Sequence, residues 1–395
     1  MKKLNKAAQL TLLLSLTYMI SYITRVSYGT VISEIEKNTH IAKSLLAHGL
    51  TGSFITYGAG QIISGILGDR FSAKRLISFG LALTTVMNIL IPFCASPLAL
   101  TVIMCINGFA QSLMWPPMVK IMTVQLSDDE YKSAVVKVSW GSSAGTITTY
   151  LFSPVIITFF GWKAVFVFCA VCGLMMLLLW NRFGADAESS GETAAESAQS
   201  GLGFISPLFI GIMLAIVFQG MLRDGVTTWM PSYIAETYNI SNVIAILSGV
   251  ILPIFGILCF QAASVLYRKC FTNPLACAAV IFACGGAAAF LLLLITGKSM
   301  ALSVLLSAIL TGCMHGVNLI LICMIPPFYK KYGNVSTVSG VLNSCTYIGS
   351  AISSYGIAVL CESAGWHTTL AVWLLIAVLG TVMCAANIFP WKRVF

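Results

Sequence analysis

Charge is scarce in this sequence. Only 9% of its 395 residues are charged, and 13 are acidic. Soluble domains run near ~25% charged, so a chain with a mainly water-facing surface is excluded. Catalytic signatures are missing too: there is no G-x-x-x-x-G-K-[ST] loop, no H-E-x-x-H and no Ser/His/Asp set. Nucleotide hydrolysis, zinc chemistry and acyl transfer therefore have no support, and no enzyme activity, cofactor or metal is expected. The net charge of +9 does not imply nucleic acid, because the basic residues stand singly or in pairs at the ends of apolar runs. Cysteine is plentiful, but the one C-x-x-C, Cys169 and Cys172, lies inside VFVFCAVCGLMMLLLW. There it reads as packing rather than redox chemistry.

Apolar runs fill the chain instead. They fall at about 7–33, 45–68, 74–95, 98–122, 133–158 and 162–182, and again at about 204–235, 242–266, 273–296, 299–325, 335–360 and 365–390. Each approaches the ~20 residues that cross a bilayer. The expected fold is an all-α membrane protein with twelve transmembrane helices in two pseudo-symmetric six-helix bundles, residues 1–182 and 204–395. Residues 183–203, with the run GADAESSGETAAESAQSG, read as a flexible cytoplasmic linker. The opening MKKLNKAAQL precedes an apolar run too long for a secretory signal and is expected to lead a retained first helix. With the N-terminus inside, the outer segments hold only Lys37, Lys43, Lys163 and Lys298, while Lys2, Lys3, Arg70, Lys74, Arg75, Lys120 and other basic residues lie inside. That bias puts both termini in the cytoplasm.

The halves repeat. A shift of 204 residues places Gly161-Trp162 on Gly365-Trp366, Gly145 on Gly349, Thr146 on Ser350 and Thr149 on Ser353. Span 1 and span 7 each carry one arginine at depth, Arg25 and Arg223. A guanidinium there is costly, by ~2.5–3.5 kcal/mol on insertion scales. No acidic residue lies within a helical turn of Arg25 in sequence, so this residue is expected to face a water-filled cavity and an anion. Parallel repeats with a midplane site are a transporter plan.

Three motifs narrow the reading. Span 2 ends in Gly65-Ile66-Leu67-Gly68-Asp69-Arg70-Phe71-Ser72-Ala73-Lys74-Arg75, which resembles the loop 2–3 signature of the major facilitator superfamily, with Ser72 in place of a glycine. Arg25 preceded by Tyr18 and Tyr22, GFAQSLMWPPMVK in span 4, and Arg223 followed by Trp229, Pro231 and Tyr233 resemble the organophosphate:phosphate antiporters, the glycerol-phosphate and hexose-phosphate transporters. That resemblance implies that Arg25 and Arg223 grip a phosphate from opposite halves, and that Asp69, Arg70 and Arg75 serve the inner gate. Guanidinium suits this role, since its planar donors match phosphate oxygens bidentately and its charge is permanent.

The sequence also departs from that family. Its usual lysine one turn after the span 2 tyrosine is replaced, since Tyr57 is followed by Gln61, and the span 5 histidine is absent. Both changes argue for a different or less charged substrate. Tyr57, Gln61 and Ser143, with Asn343 and Tyr347 from span 11, are further candidate substrate contacts. Asp224 and His315 are candidates for proton or polar coupling, although a carboxylate pairing with Arg223 fits equally and a lone intramembrane histidine is more often a hydrogen-bonded packing residue.

The expectation is a monomeric secondary transporter of the bacterial cytoplasmic membrane. It would move an organic anion, foremost a phosphorylated metabolite, by alternating access, with inorganic phosphate as a counter-substrate. A proton-coupled carboxylate or sugar-acid symporter, and a transporter-like sensor, remain alternatives.

Overall fold

The structure is a computed structural model and describes residues 6–41, 43–94, 96–186, 206–240, 248–332 and 334–395. The expected linker beyond Asp186, Lys2, Lys3 and the start of span 8 lie outside the described residues. The helices are α1 (Lys6–Thr39), α2 (Lys43–Arg70), α3 (Ala73–Leu90), α4 (Pro97–Ser112), α5 (Trp115–Gln125), α6 (Asp128–Phe160) and α7 (Trp162–Phe183). There follow α8 (Pro207–Tyr238), α9 (Ile251–Cys270), α10 (Pro274–Ile295), α11 (Met300–Asn318), α12 (Val335–Ala386) and α13 (Ile388–Val394). No strand occurs among the described residues. Among the described residues, ten helical stretches, α4 and α5 counted together, are long and apolar enough to span a membrane. The helix α2 and the part of α12 before Gly365 complete the twelve spans.

Local sequence explains the breaks. The α4–α5 stretch is interrupted at Leu113 and Met114, just before Pro116 and Pro117, which lack the N–H groups a continuous helix needs. Gly161 ends α6 at φ 78° and ψ 168°, and Gly365 breaks α12 at φ 76° and ψ 173°. The two corners have the same backbone conformation, in a region open mainly to glycine. The repeat is therefore present in dihedral angles as well as in residue types. At its lower end α11 passes into one wide turn, where the Met324 N–H bonds the Leu319 carbonyl five residues back at 3.2 Å.

The chain divides into two compact units, Met1–Ala198 with Tyr329–Ser344, and Gln199–Phe328 with Cys345–Phe395. In the first, Ile23, Tyr28, Val31 and Ile35 of α1 pack with Met87, Met104, Trp162, Phe166 and Cys169 in one buried cluster. Cys169 contacts the Ile23 carbonyl at 3.6 Å, and no disulfide joins cysteines among the described residues. The outer face of α7 exposes Val167, Val171, Leu174, Met175 and Leu178. Such a continuous apolar stripe suits lipid and not water.

Candidate functional site

Each arginine is placed by a backbone-tight helix crossing. In the first unit, a Cβ added to Gly145 of α6 would lie 2.4 Å from the Met19 carbonyl oxygen of α1. In the second, a Cβ on Gly349 of α12 would lie 2.1 Å from the Val217 carbonyl oxygen of α8. Arg25 follows Met19 by six residues, and Arg223 follows Val217 by six (25 − 19 and 223 − 217). The two guanidinium groups thus occupy equivalent positions in their own units, each referenced to a contact that only glycine permits.

Their surroundings differ. Arg25 lies over the Tyr22 ring at 4.1 Å and the Tyr57 ring at 4.6 Å from the centroids. Tyr22 meets Tyr18 edge-on at 5.1 Å, and Tyr18 lies against Trp115 at 4.9 Å with the rings tilted by 39°. Electron-rich ring faces attract the cation, and Tyr18, Tyr57 and Trp115 are all buried. The Trp115 indole N–H is buried with no acceptor among the described residues, a donor that a bound ligand could satisfy.

Arg223 instead holds a carboxylate. Its Nε donates to Asp224 Oδ1 at 2.7 Å and its Nη2 to Asp224 Oδ2 at 2.9 Å, while the Ser350 hydroxyl donates to Oδ2. His315 lies within electrostatic reach of this pair. Its Nδ1 is 2.9 Å from the Thr311 carbonyl, which can only accept, so Nδ1 carries the hydrogen. The imidazole packs edge-on against Phe260 at 5.4 Å and passes close to Gly256.

Gln61 and Asn343 are engaged with each other. The Asn343 amide donates to Gln61 Oε1 at 2.9 Å, and Gln61 Nε2 donates to the Ser112 carbonyl at 3.3 Å. That carbonyl would be the helical partner of the residue 116 N–H, which Pro116 does not have. The glutamine standing where the resembling family has lysine thus fills a hydrogen-bonding gap made by the proline pair. Gly65 and Gly340 let the backbones meet beside it: a Cβ on Gly340 would lie 2.2 Å from the Gln61 carbonyl oxygen. Ser143 is buried on α6, and Tyr347 is half-buried on α12.

At the end of α2, Asp69 Oδ1 accepts from the Ser336 N–H at 2.9 Å and Oδ2 from the Thr337 N–H at 2.7 Å. These are first-turn donors of α12, and a carboxylate there satisfies orphan N–H groups and the helix dipole. Lys120 closes the other end, donating to the Gly68 and Asp69 carbonyls at 2.8 and 3.2 Å. Arg70 and Arg75 are exposed. Ser72, in place of the signature glycine, caps α3 by accepting from the Arg75 N–H at 3.2 Å and donates to the Asp186 carboxylate.

One set of residues behind Arg25 was not anticipated. Gln111 donates to the hydroxyls of Thr24 and Thr84, both at 2.8 Å, Thr84 donates to Asn107, and Asn88 donates to the Thr24 carbonyl at 3.1 Å. This buried network ties the backbone next to Arg25 to α3 and α4. The signal was available as polar residues inside apolar runs.

Residues 14–354 match the family model described as Major Facilitator Superfamily. The chain belongs to that superfamily. Among curated relatives, a probable hexose phosphate transport protein of Chlamydia trachomatis is 24% identical over 413 residues, covering 93% of this chain and 88% of the relative. The membrane sensor protein UhpC of Salmonella typhimurium is 24% identical over 58% of this chain, and the glycerol-3-phosphate transporter of Bacillus subtilis is 25% identical over 56%. The match spans just over half the length of those last two relatives, 57% and 55%. These names bear out the resemblance to the organophosphate:phosphate antiporters. Among solved structures, the proton:xylose symporter XylE superposes with a TM-score of 0.77 at 14% identity, covering 98% of this chain and 96% of XylE. The human organic anion transporter MFSD10 superposes with a TM-score of 0.79 at 13% identity, over 96% of this chain and all of MFSD10. These likenesses confirm the fold of a multi-pass membrane protein, and both neighbours are transporters rather than enzymes.

Proposed function

We propose that this chain is a secondary transporter for a phosphorylated metabolite, exchanged for another anion such as inorganic phosphate across a bacterial cytoplasmic membrane, with both termini inside. The observation that carries the reading is the equivalent placement of Arg25 and Arg223, each six residues beyond a glycine-packed carbonyl. Each supplies the anion with a guanidinium during the cycle, and bidentate pairing with phosphate oxygens is the chemistry that geometry suits best. The names of the relatives from Chlamydia and Bacillus support a phosphorylated substrate. Exchange follows from charge: an anion neutralises guanidinium during reorientation, when desolvation makes bare charge costly.

A second reading is a receptor that binds the same ligand without carrying it. It is favoured by the Escherichia coli membrane sensor protein UhpC, 33% identical over 115 residues, 29% of this chain. One screen tests binding and a second step separates the two readings. Purified protein is heated with inorganic phosphate, glucose 6-phosphate, glycerol 3-phosphate or a carboxylate. At ~100 Kd a true ligand adds ~2.7 kcal/mol of stability. Stabilisation by a phosphate compound, lost in R25A and R223A, is expected, whereas a response confined to carboxylates would overturn the reading. Binding without flux in vesicles would leave the receptor.

A further inference from the structure

Within the second unit, the corner between α9 and α10 is tied to α13. Asn273 accepts from the Leu275 N–H at 2.8 Å, capping α10, and its amide donates to the Ile388 carbonyl at 3.1 Å. Arg268 and Lys269, in the last turn of α9, lead into that corner and are exposed. On α13, Trp391 is buried against Phe328 and Phe395, at 5.0 and 4.6 Å between ring centroids. Its neighbours Lys392 and Arg393 are exposed, and Phe389 is 73% exposed. Two apolar stripes run toward these cations. Ile254, Leu258 and Val265 are exposed along α9. Leu375, Val378, Leu379 and Val382, at helical spacing, are exposed along the part of α12 that leads to α13. After Glu236 the sequence has one acidic side chain, Glu362, and it precedes the Gly365 corner at the far end of that last span. The matching corner of the first unit differs. There the Asp186 carboxylate accepts from the Ser72 hydroxyl and from the Lys74 N–H at 3.2 Å.

We infer that the α13 end of the second unit is a binding surface for an anionic phospholipid. Arg268, Lys269, Lys392 and Arg393 hold the headgroup phosphate, and the acyl chains follow the exposed stripes of α9 and α12. Basic residues clustered at a membrane surface attract acidic headgroups, and the long stems of lysine and arginine let their charges reach headgroup level from a helix end. The stripes decide between a lipid and a small soluble anion, because a free phosphate gains nothing from apolar surface beside it. Charge decides which lipid. A zwitterionic headgroup brings its own cation next to its phosphate, whereas an anionic one meets four positive side chains with no acidic side chain nearby in sequence. The first unit, with Asp186 at the equivalent corner, has a carboxylate of its own there. This inference does not depend on which substrate the transporter carries.

Lipid competition tests this on the full-length protein. Detergent-purified protein is equilibrated with phosphatidylglycerol and phosphatidylcholine of identical acyl chains at equal concentration, and bound lipids are counted by native mass spectrometry. The wild type should retain phosphatidylglycerol in preference. K392Q/R393Q and R268Q/K269Q should each lower the ratio of the two lipids by about tenfold or more, while K392R/R393K and K298Q, a lysine distant in sequence from both basic pairs, should keep it. The ratio is taken within one preparation, so a general loss of stability cancels, and either double variant suffices if the other does not fold. Equal retention of the two lipids by the wild type overturns the inference. So does a wild-type ratio in the neutralised variants, or a fall in K298Q as large as theirs. The deacylated headgroup, glycerophosphoglycerol, should not displace the bound lipid at equal concentration; displacement would show a site for a soluble anion and overturn the assignment to lipid.

Discussion

The two arginines sit at matching positions in their units and keep different company. Arg25 lies over the faces of Tyr22 and Tyr57 and is followed by Val26. Arg223 is locked in a two-pronged contact with Asp224. Ring faces orient a cation while leaving its charge in place, at ~0.5–2 kcal/mol, whereas a carboxylate cancels it. One arginine thus meets aromatic rings and the other a carboxylate. An internal duplication conserves backbone placement at Gly145 and Gly349 while side chains diverge around it.

The most severe way to break this comparison is to make the first site resemble the second. V26D places a carboxylate beside Arg25 and should reduce phosphate-dependent uptake into vesicles more than tenfold, with far less effect on folding. An uptake rate near wild type would show that the charge at Arg25 does not matter. Next in size are the crossings. G145A and G349A push a methyl into a carbonyl and should each cost ~1–3 kcal/mol, read as a lowered melting temperature in detergent. G356A is the control, because a Cβ there meets nothing within 4 Å. Y57L removes a ring from Arg25 and should weaken phosphate binding by ~0.5–2 kcal/mol, whereas Y57F keeps the face and should bind like the wild type. The smallest effect is expected for N343A, which deletes one hydrogen bond to Gln61 and should lower thermal stability by ~1 kcal/mol.

Much of this was legible in the sequence. Apolar runs gave the spans, the depth of Arg25 and Arg223 marked them, and the glycine-tryptophan pairs revealed the repeat. Other features follow only from packing. Asp224 adjoins Arg223 in sequence, but neighbouring residues on a helix do not normally face each other, so their contact needed coordinates. Gln61, a candidate substrate contact, also serves the carbonyl freed by Pro116, a consequence of the i−4 bonding rule. The partner of Asp69 was harder, because the first-turn N–H groups of α12 lie far along the chain. The network of Thr24, Thr84, Asn107 and Gln111 is a product of three helices meeting, and no spacing within any one of them encodes it.

The central claim is that both arginines bind a phosphorylated anion that is exchanged. Counterflow measures it directly: vesicles loaded with unlabelled inorganic phosphate are diluted into labelled glucose 6-phosphate, for wild type, R25A and R223A. Rapid uptake that requires internal phosphate and falls at least ~100-fold in each variant is the predicted result. Uptake that ignores internal phosphate, or survives loss of either arginine, would contradict it.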